Sequence, residues 1–112
     1  MADNQPYLWL VWTQCAPELD AKFHKWYDEV HIPMLVKGGH ILSVKRFKLS
    51  SEVEADQPPY LAVYEFKDLA AFKSWQESDV LAEARKEMKG TWAGGGFKIK
   101  SRALYEPVSQ WG

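Results

Sequence analysis

The stretch Tyr7–Gln14, YLWLVWTQ, is apolar, aromatic or β-branched at nearly every position. Successive strand residues point to opposite faces, so a strand without a polar face must be covered on both sides. A chain of 112 residues with 46% hydrophobic content has material for one domain, 1–112, and not for two. Helices of the same chain can cover one face of this strand. The other face then needs a second copy.

The remaining elements follow from pattern and punctuation. Met1 to Pro6 reads as a polar leader. Pro17 opens a helix with Glu18 and Asp20 in its first turn, where negative charge complements the helix dipole. That helix runs to about Val36, disturbed at Pro33, and Gly38-Gly39 end it. Ile41–Leu49 is a second strand. The Ser-, Glu-, Asp- and Pro-bearing segment 50–59 is a loop. Tyr60–Lys67 is a third strand, with Tyr60, Ala62, Tyr64 and Phe66 on one face and Leu61, Val63 and Glu65 on the other. Asp68 caps a second helix that carries Leu69, Phe72 and Trp75 or Gln76 inward, and a break at Ser78-Asp79 starts a further helical segment, Val80–Met88. After the Gly94–Gly96 turn, Phe97–Glu106 alternates, which places Phe97, Ile99, Ser101, Ala103 and Tyr105 on one side.

The order β-α-β-β-α-β, with short connections and right-handed crossovers, predicts a ferredoxin-like α+β fold: a four-stranded antiparallel sheet with both helices on one face. Two such subunits packed through their bare sheet faces would form a homodimer. The chain has 6 Trp, 5 Tyr and 5 Phe, too many large rings for so small a core, so some should line a cavity or an interface.

Candidate chemistry concentrates in the first helix, FHKWYDEVHIPML. An ideal helix puts Phe23, Tyr27, Val30 and Met34 on one stripe with Trp26 beside them, and His31 stands one turn past Tyr27. An imidazole titrates near neutral pH. A place near a helix C-terminus, three residues from Asp28, would favour its charged form. His31 and the Tyr27 phenol could then exchange protons with a bound molecule. The competing structural role is a histidine capping the carbonyls released at Pro33.

The run FHKWYDEVHIPMLVKGGHILSVKRFKL resembles the F-x-x-W-Y-x-x-x-H-x-P … G signature of EthD-like proteins in the dimeric α+β barrel superfamily. Trp26, Tyr27, His31, Pro33 and Gly39 fall on the motif positions, while Gly38-Gly39 stands where relatives often have Pro-Gly. The second half agrees in element order alone. The resemblance implies paired ferredoxin-like subunits, each with a pocket between sheet and helices into which a first-helix histidine, here His31, reaches. The superfamily includes cofactor-independent monooxygenases, polyketide cyclases, isomerases, decarboxylases and haem-handling enzymes, so the fold does not choose among them.

The expected function is a cofactor-independent enzyme acting on an aromatic or polyketide-like small molecule by His-mediated proton transfer, of cyclase, dehydratase, decarboxylase or isomerase type. His31 and Tyr27 are the candidate catalytic residues. Trp9, Trp26, Phe23, Met34, Tyr64, Phe72 and Trp75 are the candidate substrate-binding walls, with Trp12, Phe66 and Tyr105 as further ring candidates. One alternative is a cofactor-free monooxygenase of anthrone-type phenols, and another is a non-catalytic small-molecule binding or stress-associated protein. No cofactor is expected.

Other classes find little support. His24, Asp28 and His31 stand at i, i+4 and i+7, but no fourth ligand is evident, and no metal site is expected. With 14 basic against 15 acidic side chains, nothing recruits nucleic acid. Lys45, Arg46, Lys48, Lys98, Lys100 and Arg102 are expected to face solvent or blunt sheet edges. Gly94–Gly96 lacks the lysine and helix of a phosphate loop. The single Cys15 cannot form an internal disulfide and has no cue for a nucleophile, no signal-peptide pattern opens the chain, and no apolar run could span a bilayer. The expected location is cytoplasmic, away from membranes.

Overall fold

Tyr7–Cys15 forms strand β1 at the centre of a four-stranded antiparallel sheet, in the computed structural model that describes residues 5–51 and 56–112. Residues 1–4 of the expected leader and 52–55 of the expected loop lie outside the described residues. A 3-10 turn (Pro17–Leu19) leads into α1 (Asp20–Trp26), a π-helical turn (Tyr27–His31) and α2 (Ile32–Leu35). Then come β2 (Ile41–Lys48), β3 (Tyr60–Phe66), α3 (Leu69–Gln76), α4 (Asp79–Thr91) and β4 (Phe97–Tyr105). The sheet order β2-β3-β1-β4 is the ferredoxin-like arrangement that the element order predicts.

The first helical segment departs from the ideal wheel. Pro33 does not end it, and the helical path continues to Leu35. Proline lacks an N–H, so the turn before it loses a ladder bond, and a widened π turn absorbs that loss. The widening adds a residue per turn and moves the inner stripe to Phe23, Tyr27, His31 and Leu35, all buried. Val30 is exposed and Met34 half-buried, in contrast to the expected stripe. Gly38, at φ +88, then takes a conformation that other residues rarely adopt, and the chain turns into β2.

Asp68 caps α3 as expected, its carboxylate accepting the Ala71 N–H at 2.8 Å. Ser78 does the same for α4, accepting from Leu81, so the break in this region is the end of α3 at Glu77 followed at once by the N-cap of α4. Phe72 and Trp75 point inward from α3, whereas Leu69 is exposed at its start.

Cross-strand partners share a face, so the register sorts the sheet. Thr13 pairs with Ile99 and Cys15 with Phe97, but Trp12 pairs with Ser101 and Val11 with Arg102. The ladder shifts between Trp12 and Thr13, leaving Lys100 as an extra residue on β4. The clean alternation expected for β4 therefore breaks. Phe97 and Ile99 face the helices, Ser101, Ala103 and Tyr105 face the opposite side, and Arg102 crosses to the helix side.

The core lies between the helices and one sheet face. Phe23, Tyr27, Tyr64 and Phe66 are at most 2% exposed and pack with Ala62, Phe72, Trp75, Leu81 and Ala84. The other sheet face carries Leu8, Leu10 and Trp12 of β1, Leu61 and Val63 of β3, and Phe47 of β2, which pairs with Leu61. No element among the described residues covers it. Phe47 and Tyr105 are each about half exposed there.

Candidate functional site

His31 sits on the last residue of the π turn, 8% exposed, with its Nδ1 buried and without a hydrogen-bond partner among the described residues. The capping role does not occur: no hydrogen bond ties the ring to the carbonyls around Pro33. The Trp26 ring stacks on the imidazole at 4.5 Å between centroids and 22° between planes. Tyr27 meets it edge-on at 5.0 Å. Burial pushes the His31 pKa down to about 4, opposed in small part by Glu87. This reverses the expectation of a charged ring, because Asp28 turns to Arg46 at 2.9 Å and desolvation decides the ionisation.

His31 lines a cavity of about 50 Å³ between the helices and the sheet. Of the expected pocket residues, Tyr27, Trp9, Tyr64 and Trp75 share its wall. The others do not. Phe23 is completely buried among Tyr60, Trp92 and Phe97. Phe72 packs as core against Trp9, Phe66 and Trp75. Met34 leaves the inner face with the π turn, Phe66 is core, and Trp12 and Tyr105 lie on the far side of the sheet. Trp26 stands behind the imidazole and donates its indole N–H to Glu87 at 2.8 Å.

Pattern reading missed several wall residues. Thr13, 2% exposed, is the buried polar residue of β1. Leu81, Arg85 and Met88 project from α4 at i, i+4 and i+7, a helical stripe that the sequence does present. Arg102 reaches the wall only through the strand irregularity, which no local signal announces.

The Tyr27 and Tyr64 hydroxyls form a short hydrogen bond at the cavity wall. Burial pushes Tyr27 up to about 12 and Tyr64 well above its ordinary range, so both remain neutral phenols. The Arg46 guanidinium lies over the Tyr27 ring, 4.4 Å from its centroid, held by Asp28 and by His24 Nδ1 at 2.9 Å. Arg46 is thus inward-facing, unlike most of the strand cations. His24 is spoken for by Arg46 and by Asp20, which also accepts the Tyr60 hydroxyl at 2.6 Å. Among the described residues no three His, Cys, Asp or Glu side chains gather in a way that could hold a metal ion. Cys15 contacts Asp20, and burial together with that carboxylate raises its pKa, the opposite of a reactive thiol.

No helix among the described residues is long and apolar enough to cross a membrane. No curated protein matches the chain in sequence. Solved structures share its fold. An EthD family protein of Bacillus halodurans superposes with a TM-score of 0.68 at 15% identity, covering 93% of this chain and 99% of that one. HapK of Hahella chejuensis gives 0.69 at 13% identity, covering 95% and 97%. A dimeric ferredoxin-like protein from an uncultured marine organism gives 0.64 at 15% identity, covering 99% and 95%. The EthD-like fold expected from the first-helix motif is therefore the fold observed. Over residues 6–106 the sequence matches the family described as a domain of unknown function, DUF4286, and to that family the chain belongs.

Proposed function

We propose that this protein is a cofactor-independent enzyme that moves a proton on an aromatic or polyketide-like small molecule held between sheet and helices, with His31 as the base. The observation that carries the reading is a buried imidazole on the wall of an aromatic cavity, with a ring nitrogen that no group among the described residues satisfies. Buried polar atoms are ordinarily paired, and an exception at a cavity wall is a natural partner for a ligand. The ring is neutral above about pH 4 and so is ready to accept a proton.

The low basicity narrows the chemistry. A base of pKa about 4 removes protons poorly from ordinary carbon acids. The substrate must itself be acidic, as phenols and 1,3-dicarbonyl compounds are, and its anion must be held by donors nearby. The Tyr27–Tyr64 phenol pair supplies one such donor, the hydroxyl proton not used within the pair. The cavity is small for a fused ring system. The bare apolar sheet face supports a homodimer, in which a second copy covers Leu10, Trp12 and Val63.

Phenolic and 1,3-diketone aromatic compounds incubated in D2O test the reading. Incorporation of deuterium at the acidic carbon should run at least about 100-fold faster with the wild type than with His31→Gln. Equal rates would refute the base role. Oxygen uptake during turnover would identify the anthrone-type monooxygenase instead. The depressed His31 pKa also favours a second reading, a binding protein in which the neutral ring is a hydrogen-bond anchor. In that case His31→Gln weakens binding and no compound turns over.

A further inference from the structure

The charged side chains on the cavity wall are Arg85 of α4 and Arg102 of β4, and no carboxylate lines it. Neither arginine has a salt-bridge or hydrogen-bond partner among the described residues, where Arg46 has two. The nearby carboxylate, Glu87, is fully engaged elsewhere: one oxygen accepts the Trp26 indole N–H and the other the Thr91 hydroxyl. Arg102 is the more telling of the two. A regular β4 would send it to the opposite face with Lys98 and Lys100, yet the extra residue at Lys100 turns it to the side of Val11, the side of the helices. Irregularities of this kind commonly re-aim a side chain beside a functional site. Both arginines are exposed at the edge of the wall, and a guanidinium's planar donor array fits a carboxylate or enolate in two-point contact.

We infer that the pocket takes a planar aromatic compound carrying one negative charge at neutral pH, with its ring between Trp9 and Trp75 and its anionic oxygens on Arg85 and Arg102. This inference rests on the ligand-pocket reading above and adds to it the charge of the ligand. It does not require His31 to be catalytic.

Benzoate, its neutral isostere benzamide and acetate, each titrated into the full chain and followed by calorimetry and tryptophan fluorescence, form the test. Benzoate should bind at least about tenfold more tightly than benzamide, an advantage that shrinks as salt is added. Arg102→Gln and Arg85→Gln should each cut that advantage several-fold, with little effect on benzamide, and Arg102→Lys should restore part of it. Far-UV circular dichroism confirms that the variants are folded, and the lysine variant carries the test if the glutamine variant is not. Benzamide binding as tightly as benzoate overturns the inferred charge while leaving the pocket reading intact. Acetate binding as tightly as benzoate overturns the aromatic half of the inference. If none of the three binds, the pocket reading fails and this inference falls with it.

Discussion

Moving the wild type from pH 7 to pH 5 should cost it stability through His31, and the size of the loss follows from burial. The ring has a pKa of about 4 in the fold against about 6.5 in the unfolded chain. Between those values the unfolded state binds a proton that the folded state refuses, so stability rises with pH across the window and is lost as pH falls through it. The full difference amounts to about 3 kcal/mol. Between pH 7 and pH 5, above the range where carboxylates dominate, the share is about 2 kcal/mol. Urea denaturation of wild type and His31→Gln at both pH values, at one fixed protomer concentration, isolates this contribution as a double difference. The variant should lose about 2 kcal/mol less than the wild type. An imidazole titration by NMR should place the His31 midpoint well below those of ordinary histidines. A variant as pH-sensitive as the wild type, or a midpoint near 6.5, would refute the claim that desolvation governs this ring.

Tyr64→Phe strands the buried Tyr27 hydroxyl and should destabilise by about 1–3 kcal/mol in the same denaturation assay. A loss below about 0.5 kcal/mol would show that the phenol pair is not a closed unit. Gly96→Ala places a methyl group on Leu19 Cδ1 at a φ of +96 and should cost about 1–3 kcal/mol, whereas Gly94→Ala, which meets nothing, should cost far less. Trp12→Glu puts charge on the bare sheet face, so sedimentation should show the wild type as a dimer and the variant as a monomer. A wild type that sediments as a monomer would remove the second copy from the account.

The fold was legible because each boundary has a strong local chemistry: Pro17, the Gly38-Gly39 pair, Asp68, Ser78 and the Gly94–Gly96 run punctuate segments with clear periodicity. The site was legible only in part. Trp9, Tyr64 and Trp75 lie on the cavity wall because regular elements aim them, whereas Tyr27 and His31 reach it from the π turn. Periodicity points Phe23, Phe72 and Met34 to the wall, but it separates inside from outside and not core from cavity. The ionisation of His31 is not legible in the sequence, because burial by the surrounding packing outweighs neighbours in sequence such as Asp28. Arg102 escaped notice because its side of the sheet depends on a pairing shift with β1, a non-local property.

Two one-residue surpluses, at the widened turn before Ile32 and at Lys100, decide which side chains meet in the cavity. Chain length at these two places is thus as much a part of the pocket as the residues themselves. A relative with the same histidine and arginine, but one residue shorter at either point, would present a different interior. Alignments of such chains should be judged by their gaps before their identities.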